Sequence, residues 1–249
     1  MSHGESSSNS TENMPDGWNE RQRGYYEAHA SGYERQRTGR ERAYRRKALL
    51  LHATLPNRVG ALLEVGVGTG LVTTHLASLV RPTRYVGLDL SLAMIELARA
   101  RGGDRGVDFV VGDAVATGLR DARFDAVVAV DILHHVENPV QALHEWCRVT
   151  TPGGRLAVLE TNGCHPVNLV NLVRRHEWGV FRNTKRNLAI WAWKAGWQNV
   201  EVRPTASFTP SGPPALAGVL DAMDRSALNI PGSSWLTGLW LITAQKRLP

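Results

Sequence analysis

Cysteine is scarce in this 249-residue chain. Only Cys147 and Cys164 are present, and neither sits in a Cys-x-x-Cys pair. Neither a zinc ribbon nor a disulfide framework is therefore expected. Long apolar runs are also missing: none reaches the ~18 residues that a membrane helix needs. The opening stretch, MSHGESSSNSTENMPDG, has no apolar core segment. No secretory signal is read there, and residues 1–20 are expected to be a polar, disordered leader. With two cysteines and no signal, the expected location is the cytoplasm. No internal repeat is visible. No histidine has a ligand-spaced partner, so no metal site is expected.

Charge of one sign is unevenly supplied. The formal net charge is +6, with nine Arg or Lys and three Glu between residues 21 and 47. Elsewhere 20 basic residues balance 20 acidic ones. The basic excess therefore belongs to one N-terminal segment. It reads either as the solvated face of a helix or as a lid that meets an anionic ligand or nucleic acid.

Hydrophobic residues make up 43% of the chain, enough for an ordinary core. The stretch GYYEAHASGYERQRTGRERAYRRKALLLHATL reads as helix with a break at Ser31-Gly32. Residues 21–57 are thus expected to form a helical cap. Beyond it, ALLEV, RYVGLDL, VDFVVGD, FDAVVAVD and GGRLAVLE read as buried strands. Helical segments alternate with them; SLAMIELARARG has Ser91 as its cap, and NPVQALHEWCRVT has Asn138 with Pro139 at its first position. This alternation predicts an α/β fold: a doubly wound, mostly parallel, Rossmann-like sheet with helices on both faces. The main domain would span 58–249, with helical insertions at about 163–183 and 211–232. Those insertions come after the fifth and sixth strands and are placed to fold over the carboxyl edge of the sheet, where ligands of such sheets bind.

LLEVGVGTG sets Gly66, Gly68 and Gly70 between a strand and a helix. Glycines there let the backbone turn sharply and approach a ligand, and the helix start offers free N–H groups. Asp89 ends the second strand 19 residues after Gly70, where a carboxylate can accept from two ribose hydroxyls. Asp113 and Ala114 end the third strand, placed to meet an adenine edge. Glu64 lies inside the first strand, and a buried carboxylate there implies a built polar site.

Taken together, LLEVGVGTG, VGLDLS, VVGDA, FDAVVAVDILHHV and TTPGGRLAVLE resemble the successive motifs of class I S-adenosylmethionine-dependent methyltransferases. The resemblance covers residues 61–160. YYEAHASGY resembles the cap of the small-molecule branch that includes the ubiquinone and menaquinone methyltransferases. AGWQNVEV and the final strand resemble its C-terminal part. The resemblance implies that S-adenosylmethionine is the cofactor and S-adenosylhomocysteine the product. Gly66, Gly68 and Gly70 would line the methionine moiety, Asp89 would hold the ribose and Leu90 would lie against the adenine. Asp113 and Ala114 would address the adenine edge, and Val130 and Asp131 would lie near the sulfonium. Tyr25, Tyr26 and Tyr33 are candidates to close the cap.

A hydroxyl acceptor benefits from a general base. His134 and His135 come after the fourth strand, and adjacent residues there point in different directions, so one of them is expected to reach the cavity. His165, after the fifth strand, is a further candidate, with Glu160 beside it. Arg174, Arg175, Arg182, Lys185 and Arg186 could bind an anionic acceptor, and Trp178, Trp191, Trp193 and Trp197 could wall it; the plain alternative is core tryptophans and solvated arginines. The expected reaction is methylation of a small molecule, first an O-methylation of a natural-product or sugar-like intermediate. N- or C-methylation and an RNA methyltransferase are the alternatives. GVGTG lacks the G-x-G-x-x-G spacing of an NAD(P)-dependent oxidoreductase, a more distant alternative. No N/D-P-P-Y/F/W stretch or Pro-Cys context points to nucleic acid.

Overall fold

The computed structural model describes residues 17–37, 41–166, 168, 175–205, 222 and 225–249. The residue 1–16 part of the leader and most of the second insertion lie outside them. Two helices open the chain, α1 (Trp18–Arg37) and α2 (Glu41–His52). The helix α1 runs through Ser31-Gly32 without the expected break. A single interior glycine costs only about 1 kcal/mol in a helix, which neighbouring residues can offset.

The remainder alternates: β1 (Ala61–Val65), α3 (Leu71–Val80), β2 (Arg84–Asp89), α4 (Leu92–Gly102), β3 (Val107–Val111) and β4 (Phe124–Val130). Then come α5 (Pro139–Val149), β5 (Thr150–Thr161), α6 (Lys185–Lys194), β6 (Trp197–Thr205) and β7 (Leu239–Lys246). The seven strands form one sheet in the order β3-β2-β1-β4-β5-β7-β6. The five strands from β3 to β5 are parallel, and β7 runs antiparallel to both its neighbours. This is the doubly wound, mostly parallel sheet that the alternation of elements predicts.

Local chemistry sets the boundaries. The Ser91 hydroxyl accepts from the Met94 N–H at 3.2 Å and starts α4. Asn138 accepts from Gln141 and starts α5, with Pro139 behind it. Thr184 does the same for α6 through Asn187. β1 is apolar apart from Glu64 and buried from Leu62 to Val65, as a central parallel strand requires. β6 is an edge; it carries Pro204 and an irregular register between Gln198 and Glu201, both of which discourage edge pairing.

The core lies on both faces of the sheet. Trp146 and Trp197 are fully buried in it. At roughly 200 Å² each and about 25 cal/mol per Å², either contributes up to about 5 kcal/mol of burial. Trp146 also donates to the Ala114 carbonyl at 3.0 Å, which ties α5 to the loop after β3. The chain turns back at β1: β2 and β3 lie on one side of it and β4 on the other. That reversal opens a crevice beyond the carboxyl ends of the strands.

Candidate active site

The crevice at this reversal holds about 750 Å³ of space free of atoms, part of it open to solvent. Its walls come from four strand ends and from α1. Gly66 and Gly68 come after β1, and Asp89, Leu90 and Ser91 stand at the end of β2. Asp113 and Ala114 come after β3; Val130, Asp131, Ile132 and His135 belong to the end of β4 and its turn. Gln22, Arg23 and Tyr26 of α1 close it from above.

The glycine loop is built on left-handed backbone. Gly66, Gly68 and Gly70 have φ of 75°, 53° and 76°. They do different work. A Cβ on Gly66 would stand 2.6 Å from Ile132 Cδ1, and one on Gly70 3.1 Å from Ala98 Cα. Both glycines serve close packing. A Cβ on Gly68 would meet nothing within 4 Å, so the backbone there is bare on the wall of the cleft. Gly70 begins α3 and does not line the cleft.

Asp89 bridges two loops. One carboxylate oxygen accepts from Gly68 N–H at 2.8 Å and the other from Ser91 N–H at 3.0 Å. Burial raises its pKa, while these N–H groups work in the opposite direction. Each oxygen retains acceptor capacity. Asp113 accepts from Val115 N–H at 3.0 Å and so holds its loop. Glu64 lies away from the cleft, buried beneath the loop, with the Tyr85 hydroxyl donating to it at 2.5 Å. Burial raises its pKa from 4.5 to about 7, against the pull of that hydrogen bond.

The turn after β4 separates the two histidines. Glu160, fully buried on β5, accepts from Ile132 N–H at 2.8 Å and Leu133 N–H at 2.6 Å. Its second oxygen accepts from His134 Nδ1 at 2.9 Å and from the Asn183 amide at 2.7 Å. His134 is 4% exposed and faces this carboxylate. His135 faces the other way, into the cleft, where Nε2 lies 2.8 Å from the Tyr26 hydroxyl. The two rings meet edge to face at 5.3 Å.

Other expected residues lie elsewhere. Tyr25 stacks on His29 at 4.5 Å, beside Tyr26 but outside the cleft lining. Tyr33 belongs to α1, and its side chain is outside the described residues. His165 is half-buried in the turn after β5, its pKa lowered by burial, and does not line the cleft. The tryptophans form no cleft wall: Trp197 is core, while Trp193 and Trp178 are 70% and 50% exposed. Arg182 packs against Trp191 and donates to the Val136 carbonyl at 2.7 Å. The side chains of Arg174 and Arg175 are outside the described residues.

Two contributions went unread in the sequence. Lys47 of α2, 2% exposed, pairs with Asp131 at 2.5 Å. Its signal was available: Tyr44, Lys47, Ala48 and Leu51 share one helical stripe, and a lysine on an apolar stripe needs a buried partner. Glu27 of α1 accepts from Leu92 N–H at 2.6 Å and Ala93 N–H at 3.2 Å, docking the cap on the start of α4. Nothing local to α1 announces that contact.

Among the described residues no group of three or more His, Cys, Asp or Glu could hold a metal. No helix among them is long and apolar enough to cross a membrane. For a nucleoside cofactor with an amino-acid tail, the donor set fits: a bare glycine wall, a strand-end carboxylate with spare acceptor capacity, and an apolar side at Leu88, Leu90 and Met94.

The chain is also similar to known proteins. The family described as "Methyltransferase domain" matches residues 63–158. A demethylmenaquinone methyltransferase from Renibacterium salmoninarum is 37% identical over 128 residues, 51% of each chain. A fatty-acid O-methyltransferase from Mycolicibacterium smegmatis is 41% identical over 93 residues, 37% of this chain and 34% of that one. The chain thus spans about half, or less, of the length of these curated relatives. A solved Thermotoga maritima structure, described as an S-adenosylmethionine-dependent methyltransferase and possible histamine N-methyltransferase, covers 91% of this chain and 100% of its own. Its TM-score is 0.66 at 21% identity, a likeness of fold. Over residues 63–158 the chain matches the methyltransferase-domain family, and over 91% of its length it shares the fold of the solved Thermotoga maritima structure.

Proposed function

We propose that the protein transfers a methyl group from S-adenosylmethionine to a small-molecule acceptor, first a hydroxyl of a natural-product or sugar-like intermediate. The observation that carries this reading is the convergence of the glycine loop, Asp89, Asp113 and His135 on one cleft. When bound, the cofactor supplies a methyl already activated on a sulfonium for in-line displacement. The chain's residues then have to orient the acceptor, exclude water and, for a hydroxyl, remove a proton.

Asp89 would accept from the ribose hydroxyls. Asp113 and Ala114 would meet the adenine edge, and Leu90 its face. Gly66 and Gly68 would border the methionine tail. Val130 and Asp131 stand at the end of β4, on the side of the transferring methyl. Positioning of this kind contributes ~7–11 kcal/mol in well-oriented cases. His135 takes the acceptor proton by way of the Tyr26 hydroxyl, which lies 2.8 Å from Nε2 and passes its own proton to that nitrogen as it receives the acceptor's. Such a base contributes ~10²–10⁴-fold. Arg23 in the lining offers a partner for an anionic acceptor. The relative named for demethylmenaquinone supports a second reading, a quinone-type acceptor at the same cleft.

The test is calorimetry with S-adenosylmethionine, followed by transfer of labelled methyl to a panel of hydroxyl, amine and quinone acceptors. Binding in the micromolar range and label on a hydroxyl acceptor are expected. His135→Ala should lower kcat by about 10²-fold or more and leave cofactor affinity within about threefold. No cofactor binding would overturn the reading. Full activity in His135→Ala would remove the base.

A further inference from the structure

Asp131 has an unusual backbone. It is a non-glycine residue with φ of 52°, in the left-handed region. Such a conformation persists only where its surroundings over-determine it. Three contacts do so here. Its N–H donates to the Leu159 carbonyl at 2.8 Å, and the Thr161 hydroxyl donates to Oδ1 at 2.8 Å. The third is Lys47 Nζ, which donates to Oδ2 at 2.5 Å. Two of these contacts come from β5, next to β4 in the sheet. Lys47 instead reaches across from α2, in the N-terminal basic segment.

This corner matters because of the turn it begins. The next four residues turn so that His134 faces Glu160 and His135 faces Tyr26 in the cleft. A corner that relaxed toward ordinary strand geometry would rotate this turn and swing His135 off its place. Asp131 itself lines the cleft, so its charge is also part of what a ligand meets. An unpaired carboxylate there, with one face buried, would take up a proton far above its ordinary range. With Lys47 beside it, and His134 near, the carboxyl is held well below that range.

We propose that Lys47 is a positioning residue of the active cleft: it anchors the Asp131 corner from α2 and thereby fixes both the charge of the cleft floor and the place of His135. The proposal rests on the cofactor reading above, because it assigns the cleft to methyl transfer. The charged and titratable groups around Asp131 are Lys47 from α2, His134 and His135 from its own turn, and Glu160 from β5 behind that turn. Arg23 of α1, Asp89 after β2 and Asp113 after β3 line the same cleft.

Four full-length proteins decide it: wild type, Lys47→Met, Lys47→Arg and the double variant Lys47→Met/Asp131→Asn. S-adenosylhomocysteine affinity is measured by calorimetry at several pH values between about 5 and 8, the window in which a buried, unpaired carboxyl takes up its proton. The ring resonances of His135 are tracked by NMR in the ligand-free proteins. Lys47→Met should weaken binding about tenfold or more at the upper end of this range, add a proton-linked step absent from the wild type, and displace the His135 ring signals. Lys47→Arg should restore affinity to within about threefold, and the double variant should remove the added step. A Lys47→Met protein with wild-type affinity, pH profile and His135 signals overturns the proposal. So does a double variant with the same added step as Lys47→Met. If Lys47→Met does not fold, a folded double variant supports the pair; an unfolded one shows that Lys47 acts only through core packing and overturns it. Wild type that binds no S-adenosylhomocysteine would sink the cofactor reading, while the His135 signals would still decide the role of Lys47.

Discussion

Replacing Gly66 and Gly68 by alanine separates two reasons for a glycine. Both residues have positive φ, 75° and 53°, so alanine at either adopts a left-handed backbone at about 1–2 kcal/mol. At Gly68 nothing further is lost from the fold, because the added Cβ meets nothing within 4 Å. At Gly66 the Cβ stands 2.6 Å from Ile132 Cδ1 and 3.1 Å from both its Cβ and Cγ1. Rotating the end of Ile132 relieves the first contact but not the one at its Cβ. Overpacking of this kind costs about 1–3 kcal/mol more. Gly66→Ala should therefore lose about 2–5 kcal/mol by urea unfolding, and Gly68→Ala about 1–2 kcal/mol. The order reverses for ligand. Gly68→Ala thickens a bare cleft wall and should weaken S-adenosylhomocysteine binding about tenfold or more by calorimetry, at a temperature where both variants are folded. Equal stability losses in the two variants would refute the packing argument. Wild-type affinity in Gly68→Ala would refute the assignment of that wall.

Two further outcomes concern buried groups. Glu64 has its pKa raised from 4.5 to about 7, so the folded state holds a proton that the unfolded state releases in that window. Stability from this group is full below about pH 4.5 and is lost as pH rises through about 7; Glu64→Gln should remove that fall, gaining up to about 3 kcal/mol at pH 8 and little at pH 5 by urea unfolding. His134→Ala strips the buried Glu160 carboxylate of one donor and opens a void, which should cost about 2–4 kcal/mol, whereas His135→Ala should stay within about 1 kcal/mol of wild type; equal losses would mean that both rings are structural.

The sheet was legible because parallel strands announce themselves as apolar runs, and because caps such as Ser91 and Asn138 act within three residues. The lining of the cleft was legible for a related reason: most of the residues that form it end consecutive strands, so sequence order maps onto position. What failed to show depends on contacts across long sequence distances. Lys47 and Asp131 are 84 residues apart, and Tyr26 and His135 are 109 apart. The orientation of the histidine pair was also hidden. It is set by Glu160, whose carboxylate gathers the N–H groups of Ile132 and Leu133 and the ring of His134. Sequence placed Glu160 near the chemistry, but not as the group that holds His134 out of the cleft. The tryptophans in and around α6 left two readings open in the sequence, a binding wall or core; Trp197 follows the core reading, and Trp193 faces solvent.

Asp89 combines the two uses of acid seen along this edge, and one substitution exposes both. Like Glu160, it satisfies backbone N–H groups that end strands, at Gly68 and at Ser91. Unlike Glu160, it also lines the cleft and is the group assigned to the ribose. An ionised carboxylate offers acceptors on both oxygens, so bracing the loops and binding hydroxyls do not compete. Asparagine cannot do this. Its NH₂ has to face either the Gly68 or the Ser91 N–H, setting donor against donor. Asp89→Asn should therefore lose about 1–3 kcal/mol of stability through the orphaned N–H, before any ligand is considered. It should lose cofactor affinity by a further factor of about ten or more, because one oxygen no longer accepts from the ribose. Were Asp89 only a brace, the stability loss would appear and S-adenosylhomocysteine would bind the folded variant as it binds the wild type. Were it only a ribose ligand, affinity would fall while the urea midpoint stayed in place. The bracing contacts and the proposed ribose contact together predict that both move.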